Sequence, residues 1–198
     1  IIRGLVGSEM CIRDRARTPT TQIPLGFIAP NFSLIDVTSG SEVSLIDVSR
    51  KNGLVVMFIC NHCPFVVHVI DQIVAVANDY LKKDFGFVAI SSNDIINYPD
   101  DSPEKMKELA KTNNFPFPYL YDPTQEVAKN YDAACTPDFS VFDSQLKCIY
   151  RGQLDDSRPG NNEPVNGKDL RLVLDLTLKN KKLDFIQKPS IGCNIKWK

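Results

Sequence analysis

The spacing of apolar and polar residues changes period several times along the chain, and each change marks an element. Phe32 to Asp36 and Glu42 to Leu45 alternate apolar with polar across Thr38-Ser39-Gly40, which predicts a β-hairpin. Leu54 to Ile59 is continuously apolar, the pattern of a strand covered on both faces, and Cys60 stands at its end. Beyond Cys63, Val66, Ile70, Ile73, Ala77 and Tyr80 recur at steps of three and four, one apolar stripe of a long helix. Phe87 to Ser91 reads as a second core strand, followed by a polar loop. A helix opened by Ser102-Pro103 then carries Met106, Leu109 and Ala110 on one face and stops at Asn113-Asn114. Tyr119 to Tyr121 is a short strand, and Asp122-Pro123-Thr124-Gln125 predicts a helix start with Asp122 as N-cap. Strands follow at Phe139 to Phe142 and at about Lys147 to Arg151, then a Gly/Pro/Asn-rich loop over 152–166. A last helix carries Leu170, Val173, Leu174 and Leu178, and a tail ends in Pro189 to Lys198. The order ββ-βαβαβαββα implies an α/β layered domain with a mixed sheet.

Composition narrows the class. A chain of 198 residues is long enough for one domain with a real core, and 43% hydrophobic with 24% charged residues excludes disordered and low-complexity classes. Lys plus Arg (23) nearly balances Asp plus Glu (24), so no basic field invites nucleic acid or an anionic membrane. The longest apolar run, the seven residues Leu54 to Cys60, is far below the roughly 20 that a membrane span needs. The chain opens with Ile, and Gly4 to Arg15 has neither amphipathic period nor cap signal; it resembles translated adapter sequence. Residues 1–17, Cys11 among them, are therefore expected to be non-native, with a domain over 24–180 and a tail over 181–198. A native start, with or without a signal peptide, would then be missing, which leaves the compartment open, with the cytoplasm weakly favoured.

The remaining cysteines, Cys60, Cys63, Cys135, Cys148 and Cys193, are too sparse for a disulfide scaffold, and their spacing matters more than their number. Cys60-Asn61-His62-Cys63 lies at a strand-to-helix junction, with Pro64 suited to a first helical turn. A thiol at a helix N-terminus faces unpaired N–H groups and the positive end of the helix dipole, so Cys60 is expected to be the attacking thiolate. Cys63, one turn inside, is expected to resolve the mixed disulfide. His62 is expected to place a cation close to the Cys60 sulfur. Half of a zinc site, completed by His62, Cys135 or Cys193, is the competing reading, but no second CxxC or HxxxH supplies a standard module, so neither metal nor cofactor is called for.

With Cys135-Thr136-Pro137 opening a later strand, these features resemble the thioredoxin superfamily: a strand, a CxxC at the head of a helix, then a cis-Pro before a hairpin and final helix. The resemblance implies a thioredoxin-like fold with an N-terminal β-hairpin extension and a central mixed sheet flanked by helices. It implies thiol–disulfide exchange at Cys60 and Cys63, with Thr136 and Pro137 as a platform that hydrogen-bonds an extended substrate chain. Ala29-Pro30-Asn31-Phe32 and the unit between Tyr119 and Tyr131 are similar to the branch holding TlpA-like reductases and AhpC/TSA peroxiredoxins. The CNHCPF segment and the PSIGCNIKW tail are similar to a peroxiredoxin-like group within it. Two positions depart from pattern: Leu54 stands where thioredoxins carry a buried Asp, and Cys60 stands where peroxiredoxins carry Thr or Ser if Cys63 is the peroxidatic position. Thiol peroxidase and a redox-inert or zinc-holding module are the alternative functions. The expected partner is a protein or small-molecule thiol or disulfide; the oligomeric state is open.

The tail residues Ile191, Ile195 and Trp197 form an apolar face that predicts docking on the domain, with Cys193 as a relay thiol beside the CxxC. Cys135 is a second candidate relay thiol. Cys148 reads as core filling, His68 as a helix-face residue, Arg151 and Arg158 as solubility or loop residues, and Asp155-Asp156 as solvated acids.

Overall fold

A computed structural model describes residues 17–198. The segment 1–16, which holds most of the expected non-native start and Cys11, lies outside the described residues; Arg17 belongs to the first strand.

Among the described residues, ten strands and five α-helices follow one another as β1 (Arg17–Pro19), β2 (Ser33–Asp36), β3 (Glu42–Ser44), α1 (Leu45–Val48), β4 (Gly53–Phe58), α2 (Pro64–Leu81), β5 (Phe85–Ser91), α3 (Pro103–Thr112), β6 (Tyr119–Tyr121), α4 (Glu126–Asn130), β7 (Cys135–Thr136), β8 (Asp138–Phe142), β9 (Cys148–Gly152), α5 (Lys168–Leu178) and β10 (Ile191–Asn194). Seven strands form a mixed sheet in the order β3-β2-β6-β5-β4-β8-β9. Strands β4, β5 and β6 run parallel at its centre, and β2, β3, β8 and β9 pair antiparallel around them. This is the thioredoxin-like α/β architecture, with its leading hairpin as an added edge.

The unbroken apolar run of β4 is explained by burial on both faces. Val55, Met57 and Ile59 face a core shared with Val69, Ile73 and Val76 of α2 and Val173 of α5. Leu54, Val56 and Phe58 face a second core shared with Leu45 and Val48 of α1 and Val127 of α4. Leu54 is thus an ordinary packing residue of that second face.

Helix α4 starts later than the sequence pattern predicts. Gln125 adopts a left-handed conformation (φ 64°) and precedes the first helical residue, so Asp122 is not its N-cap. Asp122 is instead fully buried, accepting from Ser92 Oγ at 2.8 Å and from the Ala128 N–H at 3.1 Å. Two charged residues read as solvated, Arg151 and Asp155, are also buried. Arg151 donates to the carbonyls of Tyr131 and Asp132 and lies 3.5 Å from Asp138. Arg158 is half-buried and donates to the carbonyls of Asp155 and Ser157, and Asp155 accepts the N–H groups of Ser157, Asn166 and Gly167. Asp156 does sit near the surface, between Lys168 and Lys188.

A second, three-stranded sheet in the order β1-β10-β7 has no counterpart in the sequence pattern. It docks the tail. Ser190 Oγ donates to the Pro137 carbonyl at 2.7 Å, the Ile195 N–H to the Ala134 carbonyl at 3.1 Å, and the Lys196 N–H to Asn93 Oδ1 at 2.9 Å. Gln125 Nε2 adds a bond to the Lys196 carbonyl at 2.9 Å. Ile195 is buried in the second core and Ile191 is partly buried, but Trp197 remains 42% exposed, so the predicted apolar face docks without its largest member.

Candidate active site

Cys60 follows the C-terminal end of β4 and Cys63 is the N-cap of α2. Pro64 opens the helix because its missing N–H costs nothing in the first turn and its φ is already helical. Cys63 therefore stands at the helix end, and Cys60 lies in the loop before it. This corrects the expectation that Cys60 faces the helix terminus with Cys63 one turn inside. Both side chains are buried, 1% and 0% exposed.

Thr136 touches both thiols. The Cys60 sulfur lies 3.4 Å from its hydroxyl, and the Cys63 thiol donates to its carbonyl at 3.1 Å. The Thr136–Pro137 peptide bond is cis. The two cysteines also hydrogen-bond each other, and their acidities diverge. Burial alone would raise the Cys63 thiol, but the Cys193 and Cys60 thiols, Thr136 and the Cys193 backbone N–H hold it well below the ordinary thiol range. Cys60 moves up, through its hydrogen bond to Cys63 first, then burial and the Asp101 charge. Of the two thiols, Cys63 is thus the more acidic and Cys60 the less acidic.

His62 faces Asp101. Its Nδ1 lies 2.6 Å from Asp101 Oδ2, and its ring stacks on Tyr98 with centroids 5.7 Å apart and planes 7° from parallel. Asp101 is fully buried and also accepts the Asn61 N–H at 2.7 Å, the His62 N–H at 3.3 Å and Asn93 Nδ2 at 2.7 Å. The hydrogen bond to Asp101 raises the His62 pKa against the opposing effect of burial. The side chain expected to act on Cys60 is thus engaged by Asp101, whose own charge pushes the Cys60 thiol up.

Sequence reasoning missed Asp101, Asn93 and Tyr98. The one available signal was their place in the polar loop beyond the carboxyl end of a parallel strand, where sites gather in α/β sheets. That loop also walls an open cleft of about 370 Å³ beside Asn61 and His62, lined further by Asp100, Lys105, Glu108, Leu109 and Thr112.

Among the described residues, Cys60, His62 and Asp101 form the one group of potential metal ligands. Both oxygens of Asp101 are already engaged by four N–H donors, so a metal would have to strip the loop of its anchor; the donor set fits a structural carboxylate better than a ligand. Cys135 and Cys193 do not belong to that group.

The strand edge expected to receive substrate is already taken. Cys193 of β10 pairs with Thr136 of β7, and Asn194 pairs with Cys135. The close approach depends on Gly192, where a Cβ would lie 1.9 Å from the Thr136 carbonyl oxygen. Cys193 thereby sits in hydrogen-bond contact with Cys63. Cys135, next along the strand from Thr136, leaves the opposite face; its thiol donates to the Pro137 carbonyl at 3.7 Å and burial pushes it up. Cys148 is a buried strand residue, as expected, and His68 bonds Ser157 Oγ at 2.7 Å.

The family described as Redoxin matches residues 25–170. An uncharacterised conserved protein from Geobacillus kaustophilus is 57% identical, with a TM-score of 0.91 over 92% of this chain and 97% of that one. A hypothetical protein from Sinorhizobium meliloti is 43% identical, with a TM-score of 0.89 over 92% of this chain and 99% of that one. A thiol:disulfide interchange protein of the thioredoxin family from Chlorobium tepidum is 18% identical, covers 79% of this chain and 99% of its own, and at a TM-score of 0.60 shares the fold. No curated relative matches the chain.

Proposed function

The chain belongs to the Redoxin family, and from that premise we infer that it is a thiol–disulfide oxidoreductase in which Cys60 and Cys63 cycle between dithiol and disulfide. One observation carries this reading: two hydrogen-bonded thiols at the head of α2, both held against the residue that precedes Pro137. In the forward direction Cys60 attacks a substrate disulfide and its proton passes to the Cys63 sulfur. Cys63 then gives that proton to the substrate sulfur displaced by the first attack and attacks the Cys60 side of the mixed disulfide, forming Cys60–Cys63 and displacing the second substrate sulfur as a thiolate. Thioredoxins assist the second step with a buried carboxylate; here Leu54 offers none, and the donors around Cys63 favour its thiolate instead. The substrate class is a disulfide that reaches the Asn61–His62 side of the site, because β10 covers the β7 edge where an extended chain would pair. Trapping tests the assignment. Cys63→Ser should accumulate mixed disulfides through Cys60, whereas Cys60→Ser should accumulate none; the reverse pattern overturns the order of attack.

The charge on Cys63 supports a second reading, thiol peroxidase. A peroxide is small enough to enter a buried site; the Cys63 thiolate would take its terminal oxygen as a sulfenic acid, releasing alcohol or water, and Cys60 would condense with it to give the disulfide and water. Peroxide consumption by the reduced protein, compared with its reduction of small disulfides, separates the two.

A further inference from the structure

Cys193 is held at the site by backbone pairing on both sides of its strand. It lies opposite Arg17 of β1 and opposite Thr136 of β7. Directly opposed residues in an antiparallel pair project from the same face, so the Cys193 side chain leaves β10 on the face from which the Thr136 hydroxyl reaches Cys60. On that face it joins Cys60 and Cys63 in one buried cluster and is itself 5% exposed. The contact is with Cys63, and it is double: thiol and backbone N–H both approach the Cys63 sulfur. Cys63 thus has two neighbouring thiols, Cys60 and Cys193.

We propose that Cys193 is a second disulfide partner for Cys63, so that a bond first made between Cys60 and Cys63 passes to Cys63–Cys193 and leaves Cys60 free. This rests on the redox reading of the Cys60–Cys63 pair and adds a step within the same chain. The Cys193 thiolate attacks the Cys63 sulfur. The Cys63–Cys193 bond forms, the Cys60–Cys63 bond breaks, and the electron pair leaves on Cys60, which takes up the proton that Cys193 gave up. Two electrons have already gone to the substrate and none are exchanged in this transfer, so it needs no further oxidant. The chain then stores one disulfide under β10 while presenting Cys60 as a thiol for a second substrate. A disulfide requires Cα atoms within about 7 Å, and Gly192 lets β10 lie close against Thr136, the residue that touches both Cys60 and Cys63.

Disulfide mapping of unreduced peptides tests this, with diamide as the two-electron thiol oxidant. In Cys60→Ser, oxidation should remove the free thiols of Cys63 and Cys193 together and join their two peptides as the major product. In Gly192→Ala, which pushes β10 away from Thr136, that link should be lost while Cys60–Cys63 still forms. If oxidised Cys60→Ser retains Cys63 and Cys193 as separate thiols, or carries them capped separately, the proposal is wrong and the redox pair stands. If wild-type protein forms no Cys60–Cys63 bond, the underlying redox reading falls instead.

Discussion

The Asp101 carboxylate sits 2.6 Å from the Nδ1 of His62 and at the same time accepts the backbone N–H groups of Asn61 and His62, so one buried acid fixes both the loop between the cysteines and the charge upon it. Because this contact raises the His62 pKa, the folded chain binds the proton more tightly than the unfolded one. The resulting stability is fully present below the unfolded value of about 6.5 and is lost as pH rises through the higher folded value. In Asp101→Asn that pH-dependent contribution should disappear. Urea unfolding between about pH 6 and 9 reads it directly, and an unchanged slope would show that His62 is not charged through Asp101.

The Asp101 charge already pushes the Cys60 thiol up, and His62 is the group that pairs with that carboxylate. Removing the cation alone, in His62→Ala, leaves a bare carboxylate beside the thiols and disfavours the thiolate. The potential should become more reducing by on the order of 10 to 30 mV, the higher figure corresponding to about 1.4 kcal/mol. Equilibration with a glutathione buffer measures this; a shift toward more oxidising values would contradict the pairing.

Asn93, buried to 2% exposure, spans two parts of the site with one side chain. Its amide nitrogen donates to Asp101 and its oxygen accepts the Lys196 N–H. Asn93→Ala leaves buried groups on both sides short of a partner, at a cost of about 1 to 3 kcal/mol in unfolding free energy. The Lys196 amide should also exchange hydrogen faster, a local change that general destabilisation of the core would not single out.

Cys193→Ala should raise the pH at which the pair first loses a proton, since the Cys193 thiol is the largest of the contributions holding Cys63 down. Thiolate absorbance in the ultraviolet followed against pH reports it. An unmoved midpoint would mean that the helix end and Cys60 suffice.

What could be read from the sequence was what depends on local order. The strand Leu54–Ile59, the cysteines, Pro64 and the stripe from Val66 to Tyr80 are consecutive, and their periods alone distinguish a covered strand from an amphipathic helix. The partners of the loop were hidden because they come from far along the chain. Asp101 stands among Tyr98, Pro99 and Asp100, and nothing in that polar run distinguishes the acid that turns inward from the one that does not. Arg151 and Asp155 misled for a related reason: charge implies solvent unless backbone groups are waiting to satisfy it, and those groups appear only after folding. The tail was legible as apolar, but its alignment was not. Which residue of Ile191–Asn194 meets Thr136 is decided by Gly192, whose fit is a matter of one oxygen atom 1.9 Å from where a Cβ would be.

The position of β10 between β1 and β7 also orders events during synthesis. A ribosome delivers Ile191–Asn194 after Cys60, Cys63, Thr136 and every helix named above, and domains begin to fold as they emerge. The growing chain therefore passes through a stage in which both thiols are in place and the β7 edge is bare, an unpaired edge that another extended polypeptide can add to. Arrival of β10 ends that stage.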